Sequence, residues 1–143
     1  MIDARLDGAF VATSALSRAL AAAVEAARRH GALVNVGIVD GGGNLAAFLR
    51  MPGAFLASID IAIDKAWTAC SFGVGTAEFG AMLIGEETVV REGLLARPRV
   101  TAIPGGLPIL RESRVDGGIG VSGSSALLDE EIARAGLSAL MEI

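Results

Sequence analysis

Three consecutive glycines between two short apolar runs constrain the fold more than any other feature of this chain. Residues 33–39 are mostly apolar and rich in β-branched side chains, which predicts a strand, and a second strand is predicted for residues 45–50. Glycine adopts positive φ at no steric cost, so Gly41, Gly42 and Gly43 favour a tight turn between antiparallel strands. A phosphate-binding loop would need a helix directly after the glycines, and the pattern predicts a strand there. The glycines therefore predict a β-hairpin.

The rest of the chain alternates between helical periodicity and further short apolar runs. Helices are predicted for residues 13–30, 56–72, 76–83 and 124–143. Three more strands are predicted for residues 100–103, 107–112 and 115–121. Residues 84–98 show no clear pattern. The resulting order is α-β-β-α-α-β-β-β-α, and hairpins without regular βα alternation predict an α+β fold whose sheet is mostly antiparallel.

The composition predicts self-association. Hydrophobic residues make up 52% of the 143 residues, which is high for a soluble monomer. The excess is mainly aliphatic, because the chain holds one Trp, five Phe and no Tyr. A short apolar-rich chain often buries part of its surface against copies of itself. We therefore expect a homo-oligomer of at least two chains, with a hexamer or an octamer as the plausible larger states.

Charge and cysteine usage exclude several classes of protein. The formal net charge is −4, and no cluster of Lys or Arg is interleaved with aromatic residues, so no nucleic acid partner is expected. No run of about 18 apolar residues is present, so no membrane partner is expected. Asp3 and Asp7 do not suit a signal peptide, and Cys70 is the only cysteine. We expect a cytoplasmic protein without an internal disulfide.

Two stretches of the sequence resemble a known family. They are VNVGIVDGGGNLAAFLRMPGAFLASIDIAIDKAWTA, which begins at Val34, and GGLPILRESRVDGGIGVSGSSALLDEEIARAG, which begins at Gly105. Both are similar to signature blocks of the GlcG/HbpS family, which includes haem-binding proteins and the C-terminal domain of PduO-type adenosyltransferases. The resemblance implies one domain of this type over residues 1–143. It also implies a profilin-like fold with a five-stranded antiparallel sheet and packed helices, and oligomers that are often large and even-numbered.

One position departs from the family pattern. Family members commonly carry His directly after the glycines, whereas this chain has Asn44. An amide neither coordinates iron well nor moves a proton near neutral pH. Haem is therefore a candidate cofactor, but canonical high-affinity haem binding is expected to be weak or absent.

Four polar residues near the hairpin and the second helix have both a structural and a functional interpretation. Asp40 is either a turn residue that binds nearby N–H groups or a site carboxylate. Asn44 either caps the same turn or binds a ligand. Arg50 is either an exposed or interface residue or an anchor for a ligand carboxylate through its planar fork. Lys65, the only lysine, either pairs with an acid or anchors a ligand by its charge.

The remaining candidates are distributed along the chain. His30, the only histidine, suits the C-terminal end of a helix, with a haem ligand or an acid–base group as the alternative. Asp40, His30 and Glu92 are the candidates for moving a proton in an enzyme. Cys70 lies on an apolar stripe and is expected in the core. Further ligand-binding candidates, in loops rich in exposed backbone, are Gly105, Gly106 and Ser122. A single His excludes a multi-His metal site within one chain, and no metal site is predicted.

Two functional hypotheses remain open at this level. In the first, an oligomeric binding protein holds a small planar or acidic molecule, including weakly bound haem, at a pocket near the glycine turn. In the second, a cofactor-independent lyase or isomerase acts on a small organic or aromatic acid in a catabolic pathway. The sequence does not decide between them, because neither a ligand nor a complete catalytic set can be identified from the residues alone.

Overall fold

The computed structural model describes residues 11–142, and that part of the chain contains five helices and four strands. The helices are α1 (Thr13–Arg29), α2 (Ala57–Phe72), α3 (Thr76–Ile84), α4 (Thr88–Leu95) and α5 (Ala126–Met141). The strands are β1 (Asn35–Asp40), β2 (Leu45–Arg50), β3 (Gly106–Arg111) and β4 (Arg114–Ser122). Asp3 and Asp7, on which the expectation about a signal peptide depends, lie outside the described residues, as does the end of the last predicted helix at position 143.

The four strands form one antiparallel sheet in the order β2-β1-β4-β3. In the centre, Ile38 of β1 pairs with Ile119 of β4, and both side chains lie in the main core with residues of α1 and α5. The opposite face of β1 carries Val39, which packs against α2. Helices therefore cover both faces of an antiparallel sheet, which confirms the predicted α+β class and the predicted hairpin at the glycines.

Glycines of β4 let α2 approach the sheet closely. A Cβ atom at Gly118 would overlap the carbonyl oxygen of Ala66, and one at Gly120 would overlap that of Ala62. The facing positions of α2 are small as well, since Ala62, Ala66 and Ala69 are fully buried. Because neither surface has bulky side chains there, the helix and strand backbones pack directly together. This contact fixes where the remaining side chains of α2 point.

The predicted strand at residues 100–103 is wrong. Two threonines bind the backbone groups that a strand would use for pairing. The Thr68 hydroxyl donates to the Arg99 carbonyl at 2.9 Å and accepts from the Thr101 N–H at 3.1 Å. Thr76 holds the end of the same segment through its own hydroxyl. The sheet therefore has four strands rather than five in the described part of the chain, and the observed order is α-β-β-α-α-α-β-β-α.

The ends of the helices follow local sequence signals. The Ser125 hydroxyl accepts a hydrogen bond from the Leu128 N–H at the start of α5, as expected for an N-cap. Gly31 follows α1 with φ +66° and Gly73 ends α2 with φ +70°, the left-handed conformation that favours glycine. The segment without a clear pattern, residues 84–98, contains the short helix α4.

Candidate functional site

The glycine turn between β1 and β2 is organised by Asp40. Its Oδ1 atom accepts hydrogen bonds from the N–H groups of Gly42 and Asn44, each at 3.0 Å, and lies 3.4 Å from the side-chain amide of Asn44. Gly43 has φ +84°, a conformation that favours glycine. The turn thus accounts for the observed contacts of Asp40 and Asn44. A ligand role for either residue remains a prediction.

Trp67 of α2 lies directly beside this turn. A Cβ atom at Gly43 would lie 3.1 Å from Trp67 Nε1, so a glycine leaves room for the indole. The guanidinium of Arg99 lies over the ring, with Cζ 4.6 Å from the ring centroid, which is within the range of a cation–π interaction. Within residues 11–142, no hydrogen bond is found for the Arg99 guanidinium; the hydrogen bond to Thr68 involves its carbonyl oxygen. Beside the turn there is therefore an aromatic ring that carries a guanidinium for which no hydrogen bond is found among the described residues.

Two carboxylates of α2 complete the charge arrangement around Arg99. Burial raises the pKa of Asp64 above its usual 3.8, the positive charge of Arg99 partly opposes this rise, and the negative charge of Asp60 adds to it. The charges of Arg99 and Asp60 therefore act on Asp64 in opposite directions. Arg99 thus stacks on an aromatic ring and also interacts electrostatically with a partly desolvated acid.

An apolar strip leads away from Trp67 between α2 and the edge strand β2. Phe48 of β2 pairs with Gly37 of β1, where a Cβ atom would contact Ile63 of α2 at 3.4 Å. Paired residues of neighbouring strands project to the same face, so Phe48 lies on the face that α2 covers. Phe48 and Ile63 are only partly buried, and Leu45 beside the turn is 50% exposed. The strip is therefore accessible from solvent.

Arg50 lies at the far end of this strip, opposite Asn35 in the β1–β2 register. Arg50 Nη2 donates to the Ala54 carbonyl at 2.9 Å, and Asn35 Nδ2 donates to the Phe55 carbonyl at 3.0 Å. Both side chains thus hold the segment that leads into α2. Asn35 is fully buried, and its Oδ1 atom has no hydrogen-bond partner among the described residues. Asn35 was not predicted as a site residue, although a lone polar residue within an apolar strand is a signal that the sequence displays.

Lys65 lies in the interior and pairs with an acid. Of the two interpretations that the sequence allowed for Lys65, an acid partner or a ligand, the structure shows the acid partner. Its Nζ atom donates to the Val121 carbonyl at 2.7 Å and to Asp129 Oδ2 at 3.2 Å. Burial lowers the pKa of Lys65, and the charge and hydrogen bond of Asp129 oppose that shift. A Cβ atom at Gly105 would lie 2.8 Å from Nζ, so this glycine makes room for the lysine.

The other predicted site residues do not gather at the glycine turn. The side chain of His30 is 49% exposed at the end of α1, with Nε2 3.9 Å from Glu131 Oε2. Glu92 is exposed on α4, and Ser122 is buried at the end of β4. A Cβ atom at Gly106 would overlap the backbone of Lys65, so Gly106 serves the packing of α2. Asp40, His30 and Glu92 lie on three separate elements, so nothing in their placement favours a shared catalytic function.

The lone cysteine and the acidic side chains form no metal centre in the part of the chain that the structure describes. No group of three or more His, Cys, Asp or Glu side chains there could hold a metal ion. Cys70 is buried against the glycine turn, with Sγ 3.4 Å from the Asp40 carbonyl oxygen, and this confirms its predicted place in the core. No helix among residues 11–142 is long and apolar enough to cross a membrane.

Comparison with protein families decides the relationship of the chain to known proteins. Residues 11–138 match the model of a family described as haem degrading protein HbpS-like. This chain belongs to the HbpS-like family. The resemblance drawn from the two sequence stretches is therefore confirmed.

Two relatives of this HbpS-like chain differ in length. A Citrobacter freundii protein described as an uncharacterized 15.0 kDa protein in the dhaT-dhaS intergenic region is 36% identical over 138 residues, covering 92% of this chain and 93% of that protein. The corrinoid adenosyltransferase PduO of Salmonella typhimurium is 35% identical over 125 residues, covering 83% of this chain and 35% of PduO. The chain thus corresponds to about a third of PduO.

A solved structure of a related protein supports the fold of the HbpS-like chain. The crystal structure of a PduOC–haem complex has a TM-score of 0.83 to this chain at 33% sequence identity, covering 90% of this chain and 94% of that chain. The fold is therefore shared with a protein that was crystallised with haem.

Proposed function

We propose that this HbpS-like protein binds a planar, acidic small molecule on the surface formed by the glycine turn, Trp67 and Arg99. The stacking of Arg99 on Trp67 beside the turn carries the proposal. An aromatic ring offers a flat apolar contact, and a guanidinium recognises a carboxylate through two parallel N–H donors. The family description and the haem complex of the related PduOC structure name a ligand of the same chemistry, planar with acidic substituents.

The strip along β2 supplies the apolar part of the proposed site. Phe48, Ile63 and Leu45 continue from the indole along one side of β2. Ligand pockets are typically lined by apolar side chains with a few polar groups that fix orientation. Arg99 at one end of the strip and Arg50 at the other supply positive charge to this surface. An elongated acid would lie along the strip with its carboxylate at Arg99.

Whether haem fits this surface depends on which side chains could coordinate its iron. Asn44 provides an amide, the buried Cys70 thiol contacts the Asp40 carbonyl, and His30 lies at the end of α1. None of these places an imidazole or a thiolate over the Trp67–Arg99 surface. The residues there therefore fit the ring and the carboxylates of a porphyrin but do not fit iron ligation. We propose weak haem binding that does not involve an axial ligand at the turn.

We also propose that the protein is a homo-oligomer and that α4 lies in the subunit interface. None of the residues of α4 is buried. Its apolar side chains and those at the end of α3 form an exposed patch made of Met82, Ile84, Val89, Val90 and Leu95. Exposed apolar patches of this kind mark protein contact sites. The patch also agrees with the high apolar fraction of the sequence.

Fluorescence of Trp67, the only tryptophan, tests the ligand proposal. The protein is titrated with haemin and with metal-free protoporphyrin IX, and we expect quenching with similar affinity for both, because iron makes no contribution. Arg99→Gln should lower the affinity for both molecules by about tenfold or more, as expected for loss of a charge-assisted hydrogen bond. Arg134→Gln, an exposed α5 variant, should change neither. The proposal would be overturned if the protein bound haemin much more tightly than protoporphyrin IX and if Arg99→Gln weakened the binding of neither.

A further inference from the structure

A cavity of about 830 Å³ lies between the start of α1, the end of α5 and the β3–β4 turn. None of its lining residues belongs to α2 or to the glycine turn, so it is separate from the surface proposed above. Its apolar lining includes Leu110, Leu140 and Met141. Its charged lining consists of three basic and two acidic residues, Arg18, Arg111, Arg114, Glu112 and Glu142. The volume is within the range of pockets that hold small molecules.

Two arginines at this cavity share one carboxylate through direct ion pairs. Arg111 and Arg114 are directly paired across β3 and β4, so two like charges oppose each other. Asp116 supplies a single carboxylate to both, with Arg114 Nε at 2.8 Å from Oδ1 and Arg111 Nε at 3.4 Å from Oδ2. The side chain of Arg111 is 27% exposed, and no hydrogen bond is found for it among the described residues. The guanidinium of Arg111 thus keeps N–H donors that no described residue accepts from and that a ligand can use.

The turn that carries these arginines is strained. Glu112 and Ser113 have φ of +49° and +67° at the two central positions of the turn. Asn and Gly are the usual residues where both central residues need positive φ. Side chains other than glycine adopt this conformation at an energetic cost that the surrounding structure must offset. The pairing of β3 with β4 offsets this cost and sets Arg111 opposite Arg114, where both line the cavity.

Arg18 has a different role in the same wall. Its guanidinium donates to the Ala139 carbonyl at 3.3 Å and to the Glu142 carbonyl at 3.1 Å. These carbonyls lie at the C-terminal end of α5, where a cation is stabilising. Arg18 therefore joins α1 to α5 and fixes the apolar wall formed by Leu140 and Met141. The guanidinium that remains for a ligand is that of Arg111, supported by Arg114.

We propose that this cavity binds a small amphipathic organic anion, whose carboxylate or phosphate pairs with Arg111 and Arg114 and whose apolar body contacts Leu110, Leu140 and Met141. The guanidinium fork recognises both kinds of oxyanion. The oxyanion accepts hydrogen bonds from the Arg111 guanidinium, for which no hydrogen bond is found among the described residues. The apolar wall makes the organic part contribute to affinity, which distinguishes this site from a surface site for an inorganic ion.

Calorimetric titration of the full chain with phenylacetate, phenyl phosphate and 2-phenylethanol tests the site. We expect saturable binding of one or both anions and much weaker binding of the alcohol, which has the same ring without the charge. Comparing the two anions decides between a carboxylate and a phosphate. Arg111→Gln should lower the affinity for the anion by about tenfold or more, whereas Arg134→Gln should leave that affinity unchanged. Circular dichroism and thermal melts verify that the variants fold.

Two further variants separate binding in the cavity from binding at Trp67. Ala12→Phe places a ring at the cavity wall and leaves every arginine in place, so it should abolish phenylacetate binding. Arg99→Gln removes the cation at Trp67 and should leave binding in the cavity unchanged. If the alcohol binds as tightly as the acids, or if Arg111→Gln and Ala12→Phe both leave phenylacetate affinity unchanged, the proposal is overturned. Loss of binding in Arg99→Gln alone would place the acid at Trp67 and would also overturn it.

Discussion

Lys65 and Asp129, 64 positions apart in the sequence, form an ion pair inside the protein. Nζ and Oδ2 are 3.2 Å apart, and the two side chains are 1% and 4% exposed. Asp129 Oδ1 also accepts a hydrogen bond from the Ser124 N–H at 2.9 Å, so one carboxylate joins α2 to the start of α5. Removing one partner of a buried pair leaves the other charge uncompensated, which is far more costly than replacing both.

Lys65→Met should therefore lower the free energy of unfolding by about 3–5 kcal/mol. The double variant Lys65→Met/Asp129→Leu should recover most of that loss, because no unpaired charge is then buried. Urea unfolding at neutral pH measures both. Arg134→Ala, which breaks the exposed pair with Glu130, is the control and should cost less than about 1 kcal/mol. A single variant that is as stable as this control would show that the buried pair has no structural role.

Gly120→Ala should strongly destabilise the protein, because its Cβ atom would overlap the carbonyl oxygen of Ala62 and move α2 off β4. We expect a loss of about 1–3 kcal/mol, as for overpacking in a core. Gly93→Ala is the matched control, since no atom lies within 4 Å of its added Cβ atom and the residue is in α4. That substitution should stabilise the helix by about 0.5–1 kcal/mol. Equal effects of the two variants on denaturant unfolding would contradict the role of Gly120 in packing.

Deprotonation of the Cys70 thiol should lower the free energy of unfolding in alkaline solution. Burial raises the pKa of its thiol above the ordinary 9.0, the charge of Asp40 adds to the rise, and a backbone hydrogen bond from Gly43 opposes it. The unfolded chain therefore loses this proton at lower pH than the folded chain. The stability linked to the thiol is complete below pH 9.0 and is lost as pH rises through the folded-state pKa.

The test compares unfolding free energies of the wild type and Cys70→Ala across the alkaline range. The shift of Lys65 has the opposite sign, because its pKa is lowered from 10.5 and stability linked to it rises with pH. Both proteins contain Lys65, so its contribution cancels in the difference. We expect the stability of the wild type to decrease relative to Cys70→Ala above pH 9.0. Parallel pH profiles would show that the thiol does not titrate differently on folding.

Val89→Asp should dissociate the proposed oligomer. Val89 is 73% exposed on α4 in the single chain, and a buried unpaired carboxylate in a subunit interface is strongly unfavourable. Leu127→Asp on α5 changes a side chain of similar exposure, 71%, outside the α4 patch and should leave the assembly intact. Sedimentation at micromolar concentration measures both. A wild-type mass of 14.5 kDa would exclude the oligomer, and dissociation by the Leu127 variant alone would move the interface to α5.

Local structure was largely predictable from the sequence. The glycine turn, the helices flanking it and the cap at Ser125 all depend on residues within a few positions of one another. The two interpretations of Asp40 also came from local spacing, and its contacts with Gly42 and Asn44 are those of a turn. These features follow from backbone preferences and periodic burial, which a sequence displays directly.

Contacts between distant segments could be resolved only by the tertiary structure. Residues 100–103 have the composition of a strand, but their backbone is bound by Thr68 and Thr76, which lie far earlier in the chain. Trp67 and Arg99 meet in the candidate site, and nothing near either residue predicts that contact. The sequence could not choose between an ion pair and a ligand for Lys65, because its partner Asp129 belongs to another helix.

The sequence by itself thus determined the α+β class, the hairpin at the glycines and the family relationship. The tertiary structure decided which polar side chains are used inside the protein and which remain available to a ligand. Short-range preferences set helices and turns, whereas a buried charge or carbonyl must find whatever partner the packed fold brings within hydrogen-bond distance. For Lys65 that partner is Asp129, and for the backbone of residues 100–103 the partners are two threonine hydroxyls.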